Sequence, residues 1–141
     1  MATTIRQGAM EDLNALIALD DIARSNADRR KQIEDGLTDS EISVALVDGT
    51  PRAYLLLNYR FFGHAFIELL YVASDSRRTG LGSHLIEHAQ RHALGSKLFT
   101  STNRSNEPMR ALLQRLDFQE SGVIHNLDPG DPELVFFKSL S

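Results

Sequence analysis

The chain contains no cysteine, which removes disulfides, thiolate metal sites and cysteine nucleophiles together. Any chemistry it performs must run on oxygen or nitrogen groups. It also lacks an apolar run approaching the ~20 residues needed to span a bilayer, and its opening Met1-Ala2-Thr3-Thr4-Ile5-Arg6 has no hydrophobic signal-peptide core. A cytoplasmic location and no membrane partner are expected. Positive charge is not in excess either: the formal charge is -4, whereas a nucleic-acid binder normally carries a basic face. No nucleic-acid partner is expected. Neither repeats nor low-complexity tracts nor linkers break the 141 residues, so one domain over residues 1–141 is the expectation.

What is present reads as an ordinary soluble globular composition, 42% hydrophobic and 24% charged. The charge is uneven. Residues 1 to 75 hold twelve acidic and seven basic side chains, and residues 76 to 141 hold seven acidic and eight basic ones. Scattered solvated charge is one reading; a cationic partner near the first half and an anionic one near the second is the other.

Hydrophobic spacing predicts a strand at Thr4 to Gln7, a helix from about Met10 to Arg24 and a more polar helix from Asp28 to Leu37. The period then changes to strands: Ile42, Val44 and Leu46 alternate, Asp48-Gly49 is a hairpin turn, Pro51 to Phe62 returns, and Ala65 to Ala73 follows after Gly63-His64. A helix over Gly80 to Ala93, a strand over Lys97 to Ser101, a helix over Asn106 to Leu116 and closing strands at Phe118 to His125 and Glu133 to Lys138 complete the order βααβββαβαββ. That is an α/β chain with a mixed sheet. Its fourth strand, third helix and fifth strand form a unit that requires parallel strands and a right-handed crossover, with a ligand crevice at the carboxyl ends of the strands. The Ser74-to-Ser83 loop falls at that crevice.

In this loop Arg77-Arg78-Thr79-Gly80-Leu81-Gly82-Ser83 joins two full charges to two glycines at a helix onset. Glycine permits φ > 0, so successive N–H groups can converge on one anion, and the helix adds the positive end of its dipole. A dinucleotide G-x-G-x-x-G fails at Leu85, and the Gly-Lys-Ser/Thr of a P-loop is absent. A phosphate cradle and a merely structural tight turn both remain open.

The motif Arg77-x-x-Gly80-x-Gly82, preceded by Leu70-x-Val72 at a strand end, resembles the central motif of the GNAT superfamily of acyl-CoA-dependent N-acyltransferases, Gln/Arg-x-x-Gly-x-Gly/Ala. Downstream, Asn106-x-x-Met109-x-x-Leu112-Leu113-x-x-x-Asp117-Phe118 is similar to the family pattern Asn-x-x-Ala-x-x-Leu-Tyr-x-x-x-Gly-Phe. With the element order, the likeness covers nearly the whole chain and implies a GNAT-like fold. It also implies an N-acetyltransferase carrying acetyl from acetyl-CoA to a primary amine of a small molecule or protein by direct attack, with no metal. A non-catalytic acyl-CoA-binding or sensing domain is the alternative.

The resemblance implies that the N–H groups of Arg78, Thr79, Gly80, Leu81, Gly82 and Ser83 bind the coenzyme pyrophosphate, with Arg77 beside them. The strand through Leu70 and Val72 pairs with pantetheine, the thioester lies near Leu69 and Leu70, and a strand N–H at Leu70 receives the developing oxyanion. Asn106 either contacts the pantetheine arm or caps its helix. The family's proton-donating tyrosine falls at Leu113, and Asp117 stands where glycine is usual. Homodimers are common among similar proteins, but no residue pattern here fixes the oligomeric state.

An amine of pKa ~10.4 must lose a proton before it attacks, and a base helps. Glu68, a lone carboxylate inside Phe66-Ile67-Glu68-Leu69-Leu70-Tyr71-Val72, is the candidate, against the reading that it pairs with Arg52 or Arg60 on a neighbouring strand. Tyr54, Tyr59, His125 and Glu133 are lesser candidates, as acid or substrate contacts. His84, His88 and His92 share a helical edge, but no carboxylate clearly completes a metal site, and none is expected. Asp20, Asp21, Asp28, Glu34, Asp35, Asp39 and Glu41 cluster in the early helices, as a wall for a cationic amine or as ordinary surface charge.

Overall fold

The computed structural model describes residues 2–141. Its described residues form strands β1 (Thr3–Gln7), β2 (Ile42–Val47), β3 (Thr50–Phe61), β4 (His64–Val72), β5 (Lys97–Asn103), β6 (Gln119–Ile124) and β7 (Glu133–Ser139). The helices are α1 (Leu13–Leu19), α2 (Ala27–Thr38), α3 (Leu81–His92) and α4 (Glu107–Arg115). The strands make one mixed sheet in the order β1-β2-β3-β4-β5-β7-β6. β4 and β5 are parallel, with Ala65, Phe66 and Ile67 opposite Leu98, Phe99 and Thr100, and β7 inserts antiparallel between β5 and β6. The α/β class and the element order read from hydrophobic spacing are those of the structure.

The chain groups into two compact units, one running up to Leu57 together with Leu69–Ala89, the other made of Asn58–Glu68 and Gln90–Ser141. In the first, α1, α2 and the short turn between them bury Leu16, Ala23, Ile33 and Leu37 against Ile42, Val44, Leu46, Tyr54 and Leu56. The last turn of α2 lies so close to the sheet that a Cβ on Gly36 would come within 2.8 Å of Leu56 Cδ1 and 2.9 Å of Ile42 Cδ1. In the same unit Asp12, buried, accepts two bonds from the Arg6 guanidinium at 2.8 and 2.9 Å and one from Ala9 N–H. The bonds from Arg6 hold its carboxyl below the usual carboxylate range.

In the second unit the buried apolar residues are Ala65, Ile67, Leu98, Leu113, Phe118, Leu134, Val135 and Phe136. On one face of its strands Phe66, Phe99 and Phe137 stand in register, and Phe61 stacks on Phe66 at 4.8 Å between ring centres. Helix α4 ends in a Schellman turn: Phe118 N–H reaches Leu113 carbonyl and Asp117 N–H reaches Gln114 carbonyl. Asp117 takes φ 66 there, which explains why glycine is usual at that place in the family pattern.

The first helix departs most from its expected length, while β5 runs two residues longer and β6 two shorter than expected. Met10 to Arg24 breaks into α1 flanked by short 3-10 turns at Met10–Asp12 and Ala23–Ser25, because Asp20 turns extended and its side chain takes over the following N–H groups. Relieving the left-handed strain at Asp117 makes a direct test. Asp117→Gly is expected to stabilise the fold by about 0.5–1 kcal/mol, a rise in Tm of roughly 2–4 °C in a thermal melt.

Candidate active site

Helix α3 begins at Leu81 because Gly80 carbonyl accepts the His84 N–H at 3.0 Å. Leu81, Gly82 and Ser83 therefore occupy the first turn, where N–H groups have no carbonyl four residues back. Leu81 anchors that turn in the core at 2% exposure, with Leu85, Ile86 and Ala89 one and two turns on. Just before it, Arg78 (φ 64) and Gly80 (φ 87) both adopt left-handed backbone, a pattern that swings successive N–H groups toward one point. A Cβ on Gly80 would meet nothing within 4 Å, so its φ rather than crowding accounts for glycine there.

A chain of hydrogen bonds holds the turn to β3. Thr79 hydroxyl donates to Ser76 carbonyl, Ser76 N–H to Ala73 carbonyl, and Ala73 N–H to Arg52 carbonyl on β3. The Arg77 side chain lies back over the end of β4: Nε donates to Val72 carbonyl at 3.2 Å, Nη2 donates to Tyr71 hydroxyl at 3.2 Å, and its carbon centre sits 5.4 Å over the Tyr71 ring. Arg78 is solvent-exposed. Half-buried Leu70 and Val72 lie on β4, and with Arg77 to Ser83 they belong to the first unit.

Glu68 belongs to the second unit, on β4 immediately before Leu69. Asn58 Nδ2 donates to its Oε1 at 2.9 Å, and Arg60 Nη2 stands 3.9 Å from the same oxygen. Asn58, 2% exposed, has its own carbonyl taken by Arg60 N–H at 3.0 Å, which fixes which end of the amide faces Glu68. The anticipated arginine pairing thus exists with Arg60, while Arg52 pairs with Asp75 at 3.4 Å. Asn58 was not singled out in the sequence, where an asparagine inside an apolar strand is the only trace it leaves.

Asn106 caps α4, accepting Met109 N–H at 3.2 Å. Leu113 is fully buried in place of the family's tyrosine. Tyr59 hydroxyl accepts Leu94 N–H, and Glu133 accepts Ser101 hydroxyl at 2.7 Å. Among the described residues no group of three or more His, Asp or Glu is arranged to hold a metal ion, nor is any helix long and apolar enough to cross a membrane.

The acidic cluster of the early helices divides. Asp20 has no exposure at all, so it does not form part of an accessible acidic wall. Its Oδ2 accepts Tyr54 hydroxyl and, at 2.8 Å, Arg29 Nη1; its Oδ1 accepts Ile22 N–H at 2.9 Å and Ala23 N–H at 3.1 Å. Burial pushes the Tyr54 phenol well above its ordinary range and the bond to Asp20 pushes it further, so Tyr54 stays a neutral donor rather than a titrating acid. Asp21 pairs with Arg24, and Asp35 with Lys31 at 3.3 Å, both on the surface.

This turn, helix and strand arrangement has clear relatives. Residues 10–118 match the Acetyltransferase (GNAT) family, and the chain is a member of it. An acetyltransferase of the GNAT family from Bacillus cereus ATCC 10987 superposes with a TM-score of 0.92 at 29% identity, over 99% of this chain and 98% of that one. The ribosomal-protein-S18-alanine N-acetyltransferase of Escherichia coli shares the fold, with a TM-score of 0.83 at 20% identity over 99% and 95% of the two chains. A protein assigned as a streptothricin acetyltransferase from Bacillus anthracis str. Ames, solved in complex with acetyl coenzyme A, has a TM-score of 0.64 at 19% identity over 70% of this chain and 61% of that one. No curated protein matches the chain in sequence.

Asp20 gives the sharpest structural test. Asp20→Ala leaves half-buried Arg29 without its carboxylate and the buried Tyr54 hydroxyl and two N–H groups without an acceptor, a loss of about 3–5 kcal/mol. Asp21→Ala, which removes only an exposed ion pair, is expected to cost under ~1 kcal/mol. Urea unfolding of the two variants measures the difference.

Proposed function

We propose that this acetyltransferase-family member is an N-acetyltransferase that uses acetyl-CoA to modify a primary amine, by direct attack while both substrates are bound. The observation that carries the reading is the turn at Arg78 to Ser83: two left-handed residues followed by a helix start whose first N–H groups have no carbonyl of their own turn. Such a turn matches the charge and the close main-chain approach of a diphosphate. Acetyl-CoA supplies an activated acyl group.

The remaining roles fall to the chain. The β4 main chain at Leu70 and Val72, beyond the three residues laddered with β5, serves as the edge for the pantetheine arm. Leu70 N–H faces the charge that develops on the acyl oxygen. Glu68, steadied by Asn58, takes the proton the amine sheds as its nitrogen bonds to the acyl carbon. The carbon–sulfur bond breaks at the same centre, and the coenzyme leaves as thiolate. A thiol of pKa ~8.5 needs little help to depart, which suits a chain with leucine at position 113. Asn106, already committed to its helix cap, is not required for this scheme. A cytoplasmic enzyme, a cationic acceptor suited to the exposed Asp21, Asp28, Glu34 and Asp35, and one functional domain belong to the same reading. Leu113 also favours a second reading, a sensor that binds acyl-CoA without turnover.

Thiol release from acetyl-CoA with a panel of primary amines separates the two: acceptor-dependent release supports the enzyme, and tight binding without turnover supports the sensor. In calorimetry Gly82→Trp is expected to lower acetyl-CoA affinity more than tenfold, and undiminished affinity refutes the turn as the coenzyme site. Glu68→Gln is expected to lower kcat by about 10²–10⁴, most severely at low pH where the amine is protonated, with acetyl-CoA binding retained. A wild-type pH–rate profile in that variant removes Glu68 from the mechanism.

A further inference from the structure

Tyr71 has no part in the scheme above, yet its hydroxyl joins two separate stretches of the first unit. It accepts Asp21 N–H at 3.1 Å, from the connection between α1 and α2, and Arg77 Nη2 at 3.2 Å, from the coenzyme turn. Its ring is braced as well, stacked on Tyr54 at 6.3 Å with a 22° interplanar angle, and Tyr54 is itself bonded to the buried Asp20 next to Asp21. Both partners of the hydroxyl are exposed, so water competes for each bond.

We propose that Tyr71 is a positioning residue: by way of Arg77 it couples occupancy of the coenzyme turn to the order of the α1–α2 connection at Asp21. The coupling rests on the acetyl-CoA reading. A guanidinium carries five N–H donors, and Val72 carbonyl and Tyr71 hydroxyl take one each. The fork can therefore serve an anion at the turn and the phenol together. An anion that pins Arg77 lengthens the life of the Arg77–Tyr71 bond. The phenol oxygen, held in one place, then retains Asp21 N–H. By reciprocity, whatever orders the Asp21 connection favours the filled turn by the same factor.

Amide exchange read by NMR on the full chain with and without saturating acetyl-CoA tests this. In the wild type, acetyl-CoA is expected to slow exchange at Leu81, Gly82 and Ser83 and, about fivefold or more, at Asp21. In Tyr71→Phe, which keeps the ring and its stacking, protection at the turn persists and the response at Asp21 disappears. Arg77→Gln cuts the same link from the other end and is expected to lose the Asp21 response likewise. Ile22 and Ala23 amides are bonded to Asp20 rather than to Tyr71, so their unchanged exchange shows that the connection is still folded in either variant. An Asp21 response that survives in Tyr71→Phe, or a wild type protected at the turn but not at Asp21, overturns the coupling alone. Protection at neither place overturns the acetyl-CoA reading and the coupling with it.

Discussion

One carboxylate without solvent contact, that of Asp20, organises the amino-terminal unit. Burying a charge is tolerable only when its lone pairs are filled and a counter-charge is near. Here the phenol of Tyr54, the guanidinium of Arg29 and two main-chain N–H groups fill them. The result is a sharp break after α1, a fixed start for the following 3-10 turn and a strut from α2 to β3 through one atom. Because Asp21 follows directly, its N–H is delivered to Tyr71, and from there the chain of contacts runs to Arg77 and the glycine turn. Charge pairing deep in the fold and the shape of the surface turn are thereby parts of one connected framework.

Much of this framework was written in the sequence. Element order survived because strands and helices differ in hydrophobic period, and turn residues such as Asp48-Gly49 and Gly95 mark where one ends. The glycine turn was legible because φ > 0 and helix onset leave compositional marks. Pairing across distance was not. Asp20 looked like one more acid in a polar stretch, since nothing local says that Tyr54, thirty-four residues later, will bring its hydroxyl there. Asn58 hid for the same reason, and the insertion of β7 between β5 and β6 depends on long-range ladders that no period encodes.

Left-handed backbone has opposite meanings at two of the places where it occurs. At Asp117 it closes a helix, and any residue with φ > 0 serves. At Arg78 a full positive charge is held in that conformation, at a cost of the order of 1–3 kcal/mol. A glycine there would relax the backbone but remove the charge beside the turn.

The contact at Gly36 sets a limit on how the amino-terminal unit can move. With 2.8 Å between a would-be Cβ and Leu56, the carboxyl end of α2 has no room to glide over the strands beneath it. A helix of 12 residues, ~18 Å long at 1.5 Å per residue, is then a lever with a pinned heel. Its toe is pinned as well: Arg29 bonds buried Asp20 at 2.8 Å and Arg30 bonds Ala23 carbonyl at 2.9 Å, so the helix is clamped at both ends and the connection before it is tied to the same clamp.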